Sequence, residues 1–344
     1  MPVKKSVQKL EPYVPGEQPQ ARDVVKLNTN ENPYPPSPAC AKALEGFDLD
    51  RLRRYPDPEF CELRAALAKM CGAKAENIFV GNGSDEILSL AAKAFVEDDE
   101  AIGSLDPSYS LYKTLAAIRD VEWKGFGLKP SAAAVPRDVA LFLWTNPNAP
   151  TGEFAEPETI AAFARRFKGV VIVDEAYADF ARGDCLGLAT APRNRNVIVM
   201  RTFSKSFSLA GLRVGWCVGP RPLIEALYKV KDSYNVDAVA QAVACAAIED
   251  RAWMEKNTAK IKATRSRLTD ALRAMGWDVP ESGSNFVFAR PARRAAAEIF
   301  DSLRRENIYV RYFPGERTGD RLRITVGTDE ETDRLLAALA RLDK

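Results

Sequence analysis

The hydrophobic and polar positions divide the chain into three parts. Residues 1–48 are rich in proline and polar residues and show little periodicity. Between about Ile78 and Val218, short apolar runs alternate with amphipathic stretches, and after Asp237 this alternation ends. The pattern predicts an N-terminal arm with part of a small domain at 1–48, a large domain at 49–237 and a small C-terminal domain at 238–344.

We interpret the apolar runs of the middle part as β-strands. Several are continuous rather than alternating, as expected of parallel strands that helices cover on both faces. The predicted strands are Ile78–Val80, Ala101–Leu105, Leu141–Thr145, Val170–Val173, Val197–Thr202 and Val214–Val218. Helices are predicted between them, for example at Ser84–Val96 and Glu156–Phe167. This alternation predicts an α/β fold in three layers, a mostly parallel sheet with helices on both faces.

The last third of the chain has a different pattern. Ala238 to Met275 is helical by composition, because proline and glycine are missing until Gly276. A helix is predicted between the first two of the strands that follow, and another at the C-terminus. These predicted strands are Asn285–Ala289, Ile308–Arg311 and Leu322–Val326. The order of elements indicates a smaller α+β domain.

Charge and composition exclude several classes of protein. The 49 basic and 47 acidic residues give a net charge of +2, and the basic residues are dispersed. This balance gives no reason to expect nucleic acid as a partner. No apolar run approaches the length of a membrane span, and Met1–Leu10 lacks the apolar core of a secretory signal. We therefore expect no membrane partner and a cytoplasmic location.

The chain contains no histidine. This absence excludes catalytic triads and dyads that use histidine, and it excludes histidine-ligated zinc. The 6 cysteines form no C-x-x-C pair, and several lie in apolar contexts typical of free thiols in a reducing compartment. We predict no metal site. Acid–base chemistry must then come from lysine, tyrosine, cysteine or a carboxylate.

Polar segments follow four of the predicted strands. They are Gly81–Glu86, Asn146–Gly152, Asp174–Tyr177 and Phe203–Phe207. Ligands of open parallel sheets bind outside the carboxyl ends of the strands. We therefore expect these four segments to meet at one edge of the sheet.

The segment Gly81–Glu86 opens a predicted helix. Free N–H groups at a helix N-terminus bind phosphate, and glycines allow close approach. The alternative is an ordinary strand-to-helix turn with Ser84 as N-cap. Glu86 occupies the place of the third glycine of G-x-G-x-x-G, and no G-x-x-x-x-G-K-[ST] occurs. A dinucleotide fingerprint and a P-loop are therefore excluded.

Asp174 and Lys205 each follow an apolar strand. Asp174 is open to three interpretations: a metal ligand, an anion facing a cationic group of a ligand, or a helix cap. Lys205 lies between Ser204 and Ser206, and a surface lysine is the ordinary expectation. At this edge, however, a lysine is the nucleophile expected for Schiff-base chemistry. Arg213 follows eight residues later and is suited to a second phosphate contact.

The segment Ser204–Gly215 resembles the cofactor-lysine segment of fold-type I pyridoxal-phosphate aminotransferases. Asn146–Gly152 and Asp174–Tyr177 resemble two further motifs of these enzymes, in the same order. Within the fold type, the chain is most similar to histidinol-phosphate aminotransferases, from about Leu10 to the C-terminus. The additional motifs that carry this similarity are Leu27–Pro33, Arg54–Asp57, Gly81–Glu86 and Leu322–Gly327.

The resemblance implies pyridoxal 5'-phosphate as cofactor. Lys205 is expected to hold it as a Schiff base and then to act as general base, while Asp174 pairs with the pyridine nitrogen. Asn148 and Tyr177 are expected to hydrogen-bond its phenolic oxygen, and Tyr109 to stack on the ring. The residues implied near the phosphate are Gly83, Ser84, Asp85, Thr202, Ser204, Arg213 and, from the neighbouring subunit, Tyr55.

The same resemblance implies a substrate site in a homodimer with shared active sites. Arg323 matches a residue that binds the substrate carboxylate or phosphate, and Arg311 matches a second anion-binding arginine. Surface salt bridges are the alternative for both. Tyr13 resembles an arm tyrosine near the substrate, although packing of the arm explains it equally well. Asn32 belongs to the motif Leu27–Pro33, and the resemblance implies that it binds the substrate. The implied reaction transfers an amino group between histidinol phosphate and 2-oxoglutarate in histidine biosynthesis.

Three alternatives stay open. A decarboxylase of threonine phosphate would keep the same cofactor residues, because the sequence does not show which bond of the substrate lies perpendicular to the ring. A shift of substrate to aromatic amino acids such as phenylalanine is the second. The third is a cofactor-binding regulator without turnover, against which the intact set of Lys205, Asp174 and Arg213 argues.

Overall fold

The computed structural model describes residues 3–8, 10, 16–19 and 23–343. The strands are β1 (Val25–Lys26), β2 (Ile78–Gly81), β3 (Ala101–Leu105), β4 (Glu122–Phe126), β5 (Val139–Thr145), β6 (Val170–Asp174), β7 (Val197–Thr202), β8 (Gly215–Val218), β9 (Phe286–Ala289), β10 (Ile308–Tyr309), β11 (Arg311–Tyr312) and β12 (Leu322–Thr325). The α-helices are α1 (Lys5–Gln8), α2 (Pro38–Glu45), α3 (Cys61–Cys71), α4 (Ser84–Phe95), α5 (Leu111–Arg119), α6 (Pro157–Ala164), α7 (Leu186–Thr190), α8 (Arg221–Val230), α9 (Ala238–Glu249), α10 (Arg251–Ala274), α11 (Ala296–Arg305) and α12 (Asp329–Leu342).

A large sheet forms the centre of the molecule. Within the described ranges it has seven strands in the order β2-β8-β7-β6-β5-β3-β4. β8 runs antiparallel to β2 and β7, and the other pairs are parallel. The prediction of a mostly parallel sheet is therefore confirmed.

Helices cover both faces of this sheet, as the alternation of side chains along β5 illustrates. Leu141 and Leu143 point into a core formed with α4, α5 and α8. Phe142 and Trp144 point to the other face, into a core formed with α3, α6 and α9. Since successive residues of a strand face opposite sides, both faces of β5 are apolar and its sequence is a continuous apolar run.

The edge strand β4 was not predicted. Its residues are partly or fully exposed, and its sequence Glu-Trp-Lys-Gly-Phe mixes charged and aromatic residues. It nevertheless pairs with β3 along its whole length. Charged residues protect an exposed sheet edge from further pairing, and the same charges removed the apolar pattern by which the other strands were found.

The C-terminal part forms a smaller α+β unit, as predicted. The strands β11, β12 and β9 form an antiparallel sheet, in which Arg311 lies directly opposite Arg323. The predicted strand 308–311 is divided, because β10 pairs instead with β1, where Val25 faces Ile308. The N-terminal segment is thus joined to the small unit through the pair β1 and β10, while the predicted division at 48 and 49 stays a prediction.

The long helical stretch after Asp237 is two helices. α9 and α10 meet at Asp250, which ends the first helix and precedes the second. Buried side chains of α9, such as Val243 and Ala247, belong to the core beneath the large sheet. The boundary at 238 stays a prediction. In the described part of the chain, none of the helices is both long and apolar enough to cross a bilayer.

Candidate active site

A cavity of about 520 Å³ lies at the carboxyl edge of the large sheet, where the small sheet faces it. It brings together members of all four polar segments that follow strands, with Ala149 and Pro150 contributed by Asn146–Gly152. The predicted site residues that line it are Ser84, Asp85, Tyr109, Asp174, Tyr177, Thr202, Ser204, Lys205, Arg213, Arg311 and Arg323.

Lys205 follows the end of β7 and is partly buried. Its Nζ donates to the carbonyl of Thr29 at 3.3 Å and lies 5.8 Å from the ring centroid of Tyr177. The amide of Asn32 donates to the carbonyls of Lys205 and Ser206, at 3.2 and 3.0 Å. Asn32, predicted as a substrate ligand, therefore holds the backbone of the lysine loop, and it is outside the set of described residues that line the cavity.

Asp174 is the last residue of β6 and is buried. Its Oδ2 accepts a hydrogen bond from the hydroxyl of Tyr112 at 2.8 Å, and its Oδ1 accepts from the N–H of Ala176 at 3.1 Å. Burial raises the pKa of Asp174 to about 6, and these two hydrogen bonds act against the increase. Among the described residues, no lysine or arginine forms an ion pair with it. A buried carboxylate in this setting is suited to a cationic group of a ligand.

Asn148 and Tyr177 are fixed by hydrogen bonds around the cavity. The amide Nδ2 of Asn148 donates to the carbonyl of Pro107 and to Thr151 Oγ1, both at 3.0 Å. The hydroxyl of Tyr177 accepts from Asn30 Nδ2 at 2.9 Å. The cavity is lined by Tyr177, whereas Asn148 is buried beside it.

Asn30 is a site residue that we did not single out from the sequence. Its φ of 56° lies in the left-handed region, which asparagine tolerates better than most residues. Thr325 Oγ1 donates to its side-chain oxygen at 2.9 Å, and Asn285 donates to its carbonyl at 3.0 Å. The asparagine-rich motif around it was the available signal, but which asparagine reaches Tyr177 depends on the backbone turn.

The phosphate end of the predicted site is the N-terminus of α4. The N-cap is Gly83 rather than Ser84, and in the described part of the chain no side chain caps the first turn. A Cβ on Gly83 would lie 2.6 Å from Arg213 Nη2, and its φ of +85° is unfavourable for other residues. A Cβ on Gly215 in β8 would lie 2.4 Å from the backbone nitrogen of Ser84. Both glycines therefore permit the close packing that leaves the helix N–H groups at the cavity.

Hydroxyl groups and a guanidinium surround this helix end. Thr202 Oγ1 donates to Ser204 Oγ at 3.0 Å, and Arg213 Nη1 donates to the same Ser204 oxygen at 3.4 Å. Arg213 Nη2 also pairs with Asp85 at 3.4 Å, and Tyr109 donates to Asp85 at 3.2 Å. Helix N–H groups, hydroxyls and an arginine fork are the donors that phosphate prefers. The set fits a phosphate group.

The opposite end of the cavity is cationic. Arg323 Nη2 donates to the carbonyl of Asn28 at 2.8 Å, and its guanidinium lies 5.4 Å from the ring of Phe286. Arg311 and Arg323 both lie over Phe313, at 5.3 and 5.2 Å from the ring centroid. Like charges directly opposite in an antiparallel pair repel each other. An anion bound between the two arginines would relieve that repulsion.

One predicted site residue lies away from this cavity, and another is not among the described residues. The side chain of Tyr55 is 79% exposed and stacks on Tyr234, with ring centroids 4.3 Å apart. It is outside the described lining of this cavity. Tyr13 lies outside the described residues, so its role near the substrate stays a prediction.

A buried ion pair behind the site was also missed. Arg201 in β7 pairs with Glu175 at 2.9 Å, next to Asp174. Arg201 also pairs with Asp184 at 2.9 Å and with Asp179 at 3.4 Å. Since Asp174 and Glu175 point to opposite faces of the sheet, this network fixes the ends of β6 and β7 from behind the cavity.

Comparisons with known proteins place these features in context. The family described as aminotransferase class I and II matches residues 22–339. Histidinol-phosphate aminotransferase 1 of Bradyrhizobium diazoefficiens is 45% identical over 344 residues, which cover 98% of this chain and 97% of that protein. Histidinol-phosphate aminotransferase 1 of Trichormus variabilis is 42% identical over 340 residues, covering 97% of each. A solved histidinol-phosphate aminotransferase from Sinorhizobium meliloti, in complex with pyridoxal-5'-phosphate, has a TM-score of 0.90 and 27% identity over 99% of this chain and 97% of its own.

Proposed function

The chain belongs to the class I and II aminotransferases and, within them, to the histidinol-phosphate aminotransferases, and we propose that it transfers an amino group between histidinol phosphate and 2-oxoglutarate. This reaction is a step of histidine biosynthesis. One observation carries the proposal. A single cavity has Lys205 and the buried Asp174 at one end and the opposed Arg311 and Arg323 at the other.

Pyridoxal 5'-phosphate is the proposed cofactor. It supplies, when bound, a carbonyl carbon that condenses with amines and a protonated ring that withdraws electrons from the carbon next to the amine. Lys205 is the point of covalent attachment. Arg213, Thr202 and Ser204, with the N-terminus of α4, bind the phosphate. Asp174 faces the ring nitrogen, since a buried carboxylate stabilises an adjacent cation.

Individual side chains of the protein have separate roles in the proposed reaction or in binding the cofactor ring. Lys205 Nζ accepts the proton of the substrate's α carbon as general base, which typically contributes about 10²–10⁴-fold to a rate. Asp174 keeps a proton on the ring nitrogen. Asn148 and Tyr177 donate to the phenolic oxygen. Tyr109 packs on the ring and limits the access of water.

The paired arginines suit the two substrates in turn. Histidinol phosphate has a phosphate and no carboxylate, whereas glutamate has two carboxylates. A guanidinium binds either group through two parallel hydrogen bonds, so Arg323 and Arg311 serve both half-reactions. Phenylalanine offers one carboxylate and nothing for the second arginine. The paired arrangement therefore supports a dianionic substrate over an aromatic one.

A homodimer with shared active sites is part of the proposal. Exposed large apolar side chains concentrate near Tyr55, at Leu44, Leu49 and Leu52. A second copy of the chain on this surface would bury them and would bring Tyr55 to the partner's phosphate end. The relatives named above favour transamination over the decarboxylase and the aromatic aminotransferase.

Two measurements test the proposal. Borohydride reduction of the yellow protein should fix the chromophore on Lys205, and peptide mapping locates it. Specificity constants with histidinol phosphate, glutamate and phenylalanine then compare the donors. Attachment to another lysine contradicts the assignment of Lys205. A higher specificity constant for phenylalanine contradicts the assignment of substrate while leaving the cofactor site in place.

A further inference from the structure

Three hydroxyl groups connect Asp174 to Asn148 through the floor of the cavity. Tyr112 is fully buried, and its hydroxyl lies 2.8 Å from Asp174 Oδ2 and 2.6 Å from Thr145 Oγ1. Thr145 Oγ1 lies 2.9 Å from Ser108 Oγ, which donates to Asn148 Oδ1 at 2.9 Å. In the proposed function, the hydroxyl chain joins Asp174, which would hold the ring nitrogen, to Asn148, which would hold the phenolic oxygen.

The number of hydrogens in this chain of hydroxyl groups depends on the charge of Asp174. An ionised carboxylate only accepts, and Asn148 Oδ1 only accepts, so Tyr112 and Ser108 must both donate outwards. Thr145 then has one hydrogen for its two contacts. Three hydroxyl hydrogens serve four contacts, and one oxygen–oxygen contact has no hydrogen.

Protonation of Asp174 supplies the missing hydrogen. Asp174 then donates to Tyr112, Tyr112 to Thr145, Thr145 to Ser108 and Ser108 to Asn148, and all four contacts become hydrogen bonds. Buried oxygens without a hydrogen between them are unfavourable. By itself the hydrogen bond from Tyr112 favours the ionised form of Asp174, whereas the shortage of hydrogens at Thr145 and Ser108 favours the protonated form. The complete hydroxyl chain therefore keeps a proton on Asp174 to higher pH than Tyr112 alone would when no cation faces the carboxyl group.

Resting on the proposed function, we propose that Tyr112 is a positioning residue for Asp174, and that the hydroxyl chain holds a proton on Asp174 until a cationic ring nitrogen displaces it. The proton leaves to solvent when pyridoxal phosphate binds. The contact without a hydrogen is then one of the two that Thr145 Oγ1 makes, with Tyr112 or with Ser108. Occupation of the ring-nitrogen site is thereby coupled to the direction in which Thr145 donates, two contacts away from Asp174.

The groups that face Asp174 decide the pH at which this exchange occurs. Tyr112 donates from α5, Ala176 donates from the loop after β6, Asp85 acts from α4 as a like charge and Lys205 acts as an opposite charge. Burial is the largest influence and raises the pKa of Asp174 to about 6. Since the proton competes with the ring nitrogen, the affinity for pyridoxal phosphate should fall as the pH decreases through this value.

We call this decrease in affinity for pyridoxal phosphate at low pH the acid limb. Three single substitutions should shift the acid limb in two directions. Tyr112→Phe removes a hydrogen bond that favours the ionised carboxylate, so the acid limb moves to higher pH, while binding at pH 8 stays nearly unchanged. Thr145→Val leaves two contacts, from Tyr112 to Asp174 and from Ser108 to Asn148, and each has a hydrogen when Asp174 is ionised. Because the ionised form no longer lacks a hydrogen, the acid limb moves to lower pH. Ser108→Ala also removes the shortage and should shift it in the same direction as Thr145→Val. Each shift is expected to be roughly half a pH unit to one unit.

The measurement is the dissociation constant of pyridoxal phosphate from pH 5 to pH 8.5, followed by absorbance and equilibrium dialysis. Tyr228→Phe is the matched control, because its buried hydroxyl has no hydrogen-bond partner among the described residues. Its acid limb should equal that of the native chain, including the titration of the cofactor's own phosphate. Circular dichroism checks that each variant folds, and Thr145→Val and Ser108→Ala test the count of hydrogens even if Tyr112→Phe does not fold.

Opposite shifts for Tyr112→Phe and Thr145→Val support the coupling. Equal shifts, or none beyond the control, overturn it while the proposed function stands, provided that the native chain binds pyridoxal phosphate on Lys205. A native chain that does not bind the cofactor there overturns the proposed function and the coupling together.

Discussion

The two ends of the cavity are formed by different elements of the fold. The cofactor end consists of residues at the carboxyl ends of neighbouring strands of one sheet, and Asp174, Asn148, Thr202 and Ser204 are all buried. The substrate end takes Arg311 and Arg323 from the small sheet and Asn28 from the N-terminal segment. Both arginines are only partly buried.

Because of this difference, we expect the cofactor end to determine the rate of the reaction and the substrate end to determine which substrates bind. At the cofactor end, buried hydrogen bonds fix each group, and a buried charge in a low dielectric acts strongly on what faces it. At the substrate end, partly buried guanidinium groups on a separate sheet are suited to binding anions of different shape with little reorganisation. A substitution at the first end should therefore affect every substrate equally, whereas one at the second end should discriminate among substrates.

The largest expected effect is that of Asp174→Ala. Removal of one partner of a buried charge pair typically costs about 3–5 kcal/mol, so turnover should fall by roughly a hundredfold or more. Because the cofactor end serves every substrate, the loss should be the same with histidinol phosphate, glutamate and phenylalanine. Steady-state kinetics with the three donors measure it, and Asp138→Ala, an exposed carboxylate before β5, is the control. A near-normal rate would contradict the pairing of Asp174 with the ring nitrogen.

The same residue should have an opposite effect on the stability of the cofactor-free chain. The pKa of Asp174 is raised to about 6, against an ordinary value of 3.8, so its ionised form destabilises the folded state above pH 6. This destabilisation disappears as the pH falls from about 6 to below 4. Asp174→Asn should therefore raise the free energy of unfolding at pH 8 by up to about 3 kcal/mol and leave it unchanged near pH 3.5. Urea titrations at the two pH values decide, and an Asn variant that is less stable at pH 8 would refute the argument.

At the substrate end, Arg323→Ala should weaken both half-reactions. One charge-assisted contact is worth about 1.5–3 kcal/mol, which corresponds to roughly tenfold or more in the specificity constant. Arg311→Ala should harm histidinol phosphate and glutamate far more than phenylalanine, which has no group for it. Arg321→Ala is the control, because Arg321 precedes β12 and pairs with Asp278 outside the cavity. An equal loss for all three donors in Arg311→Ala would remove the distinction between the two ends.

The smallest effect concerns Tyr55, which we assign to the partner's cofactor end. A hydrogen bond to phosphate is worth about 1–2 kcal/mol, so Tyr55→Phe should reduce activity by roughly tenfold. In mixed dimers of Tyr55→Phe and Lys205→Ala, one site has both native residues, and part of the activity should return. Subunit exchange, verified by mass spectrometry, precedes the assay. No recovery after verified exchange would place Tyr55 within its own subunit.

The sequence predicted which groups lie together at the edge of the large sheet, because these groups follow apolar strands, while their roles toward a cofactor stay predictions. Parallel strands bring such residues to one edge of the sheet. The proximity of Asp174, Lys205 and Ser84 could therefore be predicted without knowing how the helices pack. The resemblance to aminotransferases supplied their roles. The register of β11 and β12, which places Arg311 opposite Arg323, depends on long-range pairing and had no signal in the sequence.

The hydroxyl chain was missed for a different reason. Thr145 ends an apolar strand and Tyr112 lies on an amphipathic helix, so both residue types are common in ordinary cores. Their polar atoms matter only through the contacts that folding creates. Asn32 shows the converse: its motif suggested a substrate ligand, yet its amide holds the carbonyls of Lys205 and Ser206.

The antiparallel strand β8 also has a consequence for the synthesis of the protein. Among the described strands, β2 pairs with β8 alone, with Ile78 opposite Val218 and Gly81 opposite Gly215. On the ribosome, β2 and the start of α4 emerge early but cannot pair until residues 215–218 have left the exit tunnel. Pairings so distant along the chain form slowly, and domains fold from the N-terminus as they emerge. A nascent chain that stops before β8 therefore lacks an assembled phosphate site, and cofactor capture follows translation of the whole large sheet.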